Sequence, residues 1–197
     1  SMGSQGQQGN TMGSTALYTN SLAPGAGAAM TNTTAALGTG LGGQFSALPT
    51  LTANTDGILC SYQVPAGTVN IKPRTLMIRG VKIQGAVTTV LAGNATPVIY
   101  AFALAYGHTA LSLATAESAS FTTATAKAPR RIPLGYESYA AAAALGTIGS
   151  SNGVYMEFNA PIAVNPGEYV AITAKNVGVV TTTGVITFLV TFDSYWI

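Results

Sequence analysis

Charged side chains are scarce in this chain of 197 residues. Asp, Glu, Lys and Arg make up 7% of it, and the formal net charge is +2, whereas ordinary globular proteins carry about 25% charged residues. Broad binding to nucleic acid neutralises several phosphates at once, and eight scattered Lys and Arg residues suit that poorly. A surface of Thr, Ser, Asn, Gly and Ala also lacks the charge repulsion that keeps monomers apart. We therefore expect a protein that assembles with itself and does not bind nucleic acid.

Long hydrophobic runs, a secretory signal and paired cysteines are missing as well. No stretch of 18 apolar residues occurs, so we expect neither a transmembrane helix nor a membrane partner. No basic segment followed by an apolar core opens the chain, which predicts synthesis in a cytoplasm without secretion. One cysteine, Cys60, excludes an internal disulfide. Because it lies in the strand-like run ILCSYQV, we interpret it as a small buried hydrophobe.

Catalytic motifs are also missing. The one histidine, His108, lies in AYGHTA just after a predicted strand and is interpreted as a turn residue, and no second His or Cys completes a zinc site. No G-x-S-x-G elbow, calcium loop or P-loop occurs. The four glutamates are scattered, and a facing pair such as Glu137 and Glu157 is the one glycosidase arrangement left open. We expect a non-enzymatic protein with no cofactor and no metal.

Residues 1–55 contain no Asp, Glu, Lys, Arg or His, and they carry ten glycines. Such a segment has too little apolar surface to form a core of its own. Sparse large apolar residues nevertheless recur along it, namely Leu17, Tyr18, Leu22, Leu41, Phe45 and Leu48. We interpret 1–55 as an extended N-terminal arm that lies across a neighbouring subunit or beneath its own domain. Leu17, Tyr18, Leu22 and Phe45 are the arm's candidates for subunit contacts.

From residue 56 onward the sequence alternates large and small side chains with a period of two, which is typical of strands with one buried face. VIYAFALAY and GVITFLVTFDSYWI show it most clearly. On the last strand, Thr187, Leu189 and Thr191 occupy the second face, which is neither core-like nor charged and suits a half-buried interface. The pattern predicts a core that includes Phe102, Leu104, Phe158, Ile172, Phe188, Val190 and Phe192.

Three local signals predict a bulge, a turn and a short helix. The phase of TLMIRGVKIQG changes at Arg79-Gly80, which predicts a β-bulge. NPGE, residues 165–168, has the Pro and Gly positions of a type II turn. YAAAAALG, residues 139–146, is the one helix candidate, ending on a C-capping glycine. The sequence therefore predicts an all-β fold, an antiparallel β-sandwich of jelly-roll type over residues 56–197.

The segment KAPRRIPLG concentrates three of the eight basic residues, Lys127, Arg130 and Arg131. Pro129 and Pro133 stiffen it and argue against a central strand. Three interpretations remain open. Either the segment is a solvated loop, or Arg130 and Arg131 form a salt-bridging joint with an Asp or Glu of a neighbouring subunit. A nucleic-acid contact is the third and least favoured, because no further cations or stacking aromatics adjoin the two arginines.

The closing pattern EFNAPIAVNPGEYVAITAKNVG…GVITFLVTFDSYW, together with KAPRRIPLG, resembles small jelly-roll structural proteins of tailed bacteriophages, above all capsid decoration (cement) and head-fibre proteins. The resemblance covers residues 56–197 and rests on pattern, with no motif that marks functional residues. It implies a homotrimer in a virion, whose N-terminal arms brace neighbours and whose partners are the major capsid protein or another virion protein.

A carbohydrate-binding, receptor-recognising module is the alternative function, and a surface glycan is then the partner. Jelly rolls often stack sugars on exposed aromatic rings, and the sequence offers Tyr136, Tyr139, Tyr155 and Tyr195. Solvent-facing aromatics in one groove would favour this alternative, whereas aromatics buried at a subunit contact would favour the structural role. An enzyme is the third and weakest class.

Overall fold

The computed structural model describes residues 43–47, 56–70, 72–92, 95–110, 127–178 and 184–197. These residues form two antiparallel sheets of four strands each and contain no helix. The strands are β1 (Gly43–Ala47), β2 (Asp56–Gln63), β3 (Leu76–Thr89), β4 (Val98–His108), β5 (Arg130–Tyr139), β6 (Val154–Val164), β7 (Tyr169–Asn176) and β8 (Val185–Trp196). The first sheet has the order β1-β8-β3-β6, and the second has the order β2-β7-β4-β5.

Side chains from both sheets meet in one core, which is the arrangement of a β-sandwich. Along most of β4, buried residues alternate with half-buried ones, so the predicted period of two is confirmed. The same alternation holds through the first half of β8. Six of the predicted core residues are buried: Phe102, Leu104, Ile172, Phe188, Val190 and Phe192.

Phe158 was predicted to be buried, and this prediction is wrong because its side chain is only half-buried against the core. Pairing between β6 and β3 passes from Glu157 opposite Gly80 to Ile162 opposite Ile78. Residues 158–161 therefore have no partner on β3, and the regular alternation of faces breaks in that part of β6.

Three aromatic rings join the two sheets at the centre of the core. Phe188 of the first sheet meets the rings of Tyr100 and Phe102 of the second, with centroids 5.5 and 5.3 Å apart and planes at 86° and 80°. These are edge-to-face contacts, the favoured geometry for aromatic pairs. Gly85 lies beside this cluster, and a Cβ there would lie 2.7 Å from the Phe188 ring.

The predicted bulge and turn are both confirmed. β3 shifts register against β6 and β8 between Ile78 and Gly80, at the Arg79-Gly80 step. In NPGE, Gly167 has a φ of +83° and the N–H of Glu168 donates to the carbonyl of Asn165. A positive φ at the third position and this hydrogen bond are the features of a type II turn.

The helix predicted over residues 139–146 is absent, so that prediction is wrong. Tyr139 ends β5, and Ala142 and Gly146 have positive φ values of 53° and 85°. Gly146 donates its N–H to the carbonyl of Val87, and Thr147 accepts from the N–H of Val87. Apart from one turn, in which the N–H of Thr147 donates to the carbonyl of Ala144, these backbone hydrogen bonds join the alanine-rich loop to β3, and tertiary contacts override helix propensity.

The first sheet begins inside the segment interpreted as the N-terminal arm. β1 pairs antiparallel with β8, with Gly43 opposite Val190 and Ala47 opposite Ile186. Phe45, one of the arm's contact candidates, stands opposite Phe188 in this register. Leu17, Tyr18 and Leu22 lie outside the described residues.

Candidate functional site

The basic segment was interpreted as a connector, but its two arginines begin a strand. Arg130 and Arg131 open β5, which among the described strands pairs with β4 alone and so forms the edge of the second sheet. An edge strand tolerates proline because one row of its N–H groups needs no partner in the sheet. Pro133 lies beside the register shift between β5 and β4. The expectation that proline forbids a central strand agrees with this position, whereas the interpretation as a loop is wrong for Arg130 and Arg131.

Lys127 forms an ion pair within its own chain. Its Nζ lies 2.6 Å from Oε2 of Glu168, and the N–H of Asn165 donates to the other oxygen, Oε1, at 3.0 Å. Glu168 is 3% exposed, whereas the Lys127 side chain is 61% exposed. Burial alone would raise the pKa of Glu168, but Lys127, the Asn165 N–H and the charge of Arg130 together hold it below its ordinary value. One of the three basic groups therefore serves internal stability.

Arg130 is exposed, and its guanidinium is positioned by an aromatic ring. The guanidinium carbon lies 5.1 Å from the centroid of the Tyr106 ring, within the range of a cation–π contact. Gly107 has a φ of +83°, and a Cβ there would lie 3.0 Å from Nη2 of Arg130. A glycine at this position therefore allows the guanidinium to lie flat against the strand end. Arg131, the next residue, is half-buried.

His108 was interpreted as a turn residue, and this is wrong because it ends β4 and is fully buried. Its ring stacks on Tyr169 with centroids 5.6 Å apart, and neither ring nitrogen has a hydrogen-bond partner in the described part of the protein. Burial, aided by the charge of Arg131 and opposed by Glu168, lowers the pKa of His108 to about 4. The imidazole is therefore neutral near pH 7 and inaccessible to a substrate.

The glutamates considered as a glycosidase pair do not face each other. Glu137 is 1% exposed and points into the core, where its Oε1 accepts hydrogen bonds from the hydroxyl of Tyr139 and the N–H of Gly85. Glu157 is exposed on β6, at the edge of the other sheet, and accepts a hydrogen bond from the hydroxyl of Tyr155 at 2.7 Å. The sandwich separates the two carboxylates, so they cannot flank one substrate bond.

The four tyrosines proposed for sugar stacking do not line one groove. Tyr139 is 1% exposed and lies in the core, while Tyr136 is 67% exposed on the second sheet. Tyr155 (59% exposed) and Tyr195 (half-buried) belong to the first sheet. Tyr195 lies under the guanidinium of Arg79 at 5.4 Å. The aromatic groove that would favour glycan binding is therefore not formed by this set.

A groove does lie on the outer face of the first sheet, the face turned away from the second sheet. Its volume is about 300 Å³, and it is lined by Gln84, Gly85, Ala86, Thr88, Ile148, Thr187 and Leu189. The sequence pattern pointed to its β8 side, since Thr187 and Leu189 were expected at a half-buried interface. It missed Ile148, which lies two residues after the segment 139–146 that was predicted to be a helix. The lining contains no charged side chain.

No group of three or more potential metal ligands occurs among the residues that the structure describes. The same residues include no helix long and apolar enough to cross a membrane. Comparison with models of protein families gave no match, and comparison with curated proteins gave none either.

Proposed function

We propose that the chain is a non-enzymatic structural protein of a bacteriophage particle, made in the host cytoplasm, which decorates and stabilises the capsid through subunit contacts and its N-terminal arm. The strand order is the observation that carries the proposal. Sheets ordered β1-β8-β3-β6 and β2-β7-β4-β5 are what eight strands form when two Greek keys fold as a jelly roll. Jelly rolls build many viral capsid domains and lectins, so this order supports both the fold and the virion role.

The use of charge within the chain supports self-assembly. Lys127 pairs with Glu168, Arg79 pairs with Asp193 at 2.8 Å, and Glu137 is buried. With these charges paired and a formal net charge of only +2, two copies repel each other weakly. The outer face of the first sheet adds an uncharged groove with an exposed leucine, Leu189, at its edge.

Arg130 and Arg131 remain the proposed contacts between subunits of a homotrimer. The guanidinium of Arg130 is exposed and already oriented by Tyr106, so binding a carboxylate would cost little side-chain entropy. A carboxylate of a neighbouring subunit or of the major capsid protein can accept two hydrogen bonds from one guanidinium. The burial of His108 and Glu137 supports the non-enzymatic part of the proposal, because neither group is accessible to a substrate.

Purified particles test the virion role. We expect the protein to co-sediment with phage particles, and particles made without its gene to release their genome at a lower temperature. Absence of the protein from purified particles would overturn the proposal. Complementation with the intact gene is the control, and it should restore the heat stability of the particles.

Light scattering tests the subunit contact on the purified full-length protein. Replacing Arg130 and Arg131 with Ala should shift the protein toward smaller species, most strongly at low concentration. Arg74→Ala is the matched control, since Arg74 is also exposed and donates a hydrogen bond to the carbonyl of Trp196 in its own chain. A wild-type protein that stays monomeric at high concentration would defeat the assembly role.

Glycan binding is a second candidate, and one observation favours it. The ring of Tyr155 is 59% exposed, its hydroxyl is held by Glu157, and Lys82 stands opposite it on β3. An oriented ring beside polar groups can stack a sugar and bond its hydroxyls. We expect Tyr155→Ala to abolish binding on a glycan array and Tyr136→Ala to preserve it. Equal binding by both variants would exclude this site.

A further inference from the structure

We propose that the exposed guanidinium of Arg130 binds the carboxylate of Glu157 on a second copy of the chain, and that this ion pair joins the subunits of the assembly. The inference rests on the self-assembly in the proposed function and names the carboxylate that the basic segment meets. The two groups lie on different sheets, because Arg130 opens β5 and Glu157 belongs to β6. Each copy therefore offers one donor and one acceptor, so the same pair recurs at every contact of a symmetric assembly.

The scarcity of carboxylates selects the acceptor. Among the acidic side chains that the structure describes, Glu137 is buried in the core, while Glu168 and Asp193 form ion pairs with basic residues of the same chain. Glu157 is exposed and forms no ion pair with any described residue. Lys82, on the neighbouring strand β3, is not within ion-pair distance of it either. Glu157 is thus the carboxylate that a second copy can reach without breaking an internal ion pair.

Both groups are oriented before they meet. The guanidinium carbon of Arg130 lies 5.1 Å from the centroid of the Tyr106 ring. Oε2 of Glu157 accepts a hydrogen bond from the hydroxyl of Tyr155 at 2.7 Å, and Oε1 accepts none from the described residues. Gly80, which is paired with Glu157 on β3, has no side chain to cover the carboxylate. Because both side chains are already held, an ion pair between two copies loses little side-chain entropy.

The strand edges that carry these groups are protected against a further strand, which favours contact through side chains. β5 contains Pro133, which has no N–H to donate. β6 contains Pro161, one of the four residues 158–161 that have no partner on β3. Prolines and bulges of this kind keep a second chain from extending a sheet. We therefore expect a second copy to bind through side chains such as Arg130 and Glu157 rather than by adding a strand.

Charge reversal on the full-length protein tests the inference. Sedimentation velocity gives the dissociation constant of the assembly for Arg130→Glu, for Glu157→Arg and for the variant with both changes. Each single reversal places two like charges together, so we expect it to raise the dissociation constant at least about tenfold. The double variant restores opposite charges, and its dissociation constant should return to within about fivefold of the wild-type value. Single reversals without effect, or a double variant that assembles no better than the single ones, would each overturn the pair.

A matched combination separates this pair from a general effect of charge. Arg74→Glu reverses another exposed arginine, which donates a hydrogen bond within its own chain. Combined with Glu157→Arg, it should leave the assembly as weak as Glu157→Arg alone. Recovery in that combination would refute a specific pair, and thermal melts check that all variants are folded. The virion role is judged separately, because it fails only if the protein is missing from purified particles.

Glycan binding at the same surface is the competing outcome. Glu157 also holds the hydroxyl of Tyr155, the ring considered above for sugar stacking. We expect Glu157→Arg to weaken assembly whether or not a glycan is present. If this variant instead abolishes binding on a glycan array and leaves the dissociation constant of the assembly unchanged, the carboxylate belongs to a glycan site and the inference is overturned.

Discussion

Two glutamates lie toward opposite ends of the second sheet, and although both are buried, their pKa values shift in opposite directions. Glu137 is 1% exposed, and burial raises its pKa, an effect that the hydrogen bonds from two neutral donors, the Tyr139 hydroxyl and the Gly85 N–H, offset only in part. Glu168 is 3% exposed, and burial also raises its pKa, but the hydrogen bond and charge of Lys127 outweigh burial and lower it. The comparison shows that the charge of the partner, more than the depth of burial, decides in which direction the pKa of a buried acid shifts.

The contributions of Glu137 and Glu168 to the free energy of unfolding should therefore change with pH in opposite directions. A raised pKa means that the folded protein favours the protonated acid, so the stability from Glu137 is present at low pH and is lost as the pH rises through its folded pKa. A lowered pKa means the reverse. The stability from Glu168 is present above the unfolded pKa and is lost as the pH falls through its folded pKa.

The largest effect should come from Phe188→Ala, which removes no titratable group. It removes the ring that joins the sheets and leaves a cavity, so we expect the free energy of unfolding to fall by about 3–5 kcal/mol. Urea denaturation at several pH values measures this loss. The loss should be similar at each pH, and a loss below about 1 kcal/mol would mean that the faces of β8 are reversed.

His108→Phe tests how much of the acid destabilisation comes from the end of the second sheet where Glu168 lies. The pKa of His108 is about 4 in the folded protein and 6.5 in the unfolded chain, so protonation favours unfolding as the pH falls below 6.5. The wild type should lose about 2–3 kcal/mol from this group between pH 7 and pH 4. Phenylalanine keeps the stack on Tyr169 but does not titrate. The variant should lack this part of the acid destabilisation, and an unchanged pH profile would contradict the assignment.

Lys127→Met should break the pair that makes Glu168 differ from Glu137. We expect a loss of about 1–2 kcal/mol at pH 7, less than for a fully buried pair because the Lys127 side chain is 61% exposed. The cost should shrink at low pH, where Glu168 is protonated. Arg79→Met is the control at the surface pair with Asp193, whose side chains are both 40% exposed, and should cost about 0–1 kcal/mol. Equal losses in the free energy of unfolding for the two variants would show that burying Glu168 does not strengthen its ion pair.

Glu137→Gln should have the smallest effect, and its sign should depend on pH. The amide keeps an oxygen that can accept from the Tyr139 hydroxyl and the Gly85 N–H, so we expect a change below about 1 kcal/mol at low pH. As the pH rises, the variant should become more stable relative to the wild type, because it has no charge to bury. Chemical denaturation of the two proteins across the pH range measures this, and parallel stability curves would contradict a raised pKa.

Sequence reasoning succeeded where a signal is local and failed where a distant segment decides. Alternation in β8 identified Phe188, Val190 and Phe192 as core residues, because a strand exposes every second side chain to one face. It failed for Arg130 and Arg131, since Pro129 and Pro133 suggested a loop. Pro129 precedes β5, and Pro133 is compatible with a place inside it because β5 lies at an edge, which depends on sheet order.

The candidate sites also contain some residues that a local pattern predicted and others that only a distant segment supplies. Thr187 and Leu189 were assigned to an interface face from their alternation alone, and they line the groove. Ile148 completes that groove through a backbone bridge to Ala86, from a loop whose alanines predicted a helix. Lys127 and Glu168 are far apart in the chain, so their ion pair cannot be predicted from the spacing of residues in the sequence.

By itself, the sequence determined the features that neighbouring residues decide: the faces of the strands, the bulge at Arg79-Gly80, the NPGE turn and the scarcity of charge. Backbone geometry and side-chain alternation act over a few residues, so these features can be read without a fold. Only the tertiary structure decided the order of the strands in the sheets, the burial of His108 and the directions in which the pKa values of Glu137 and Glu168 shift. These depend on desolvation and on partners brought from distant segments, and such contacts exist only once the chain has folded.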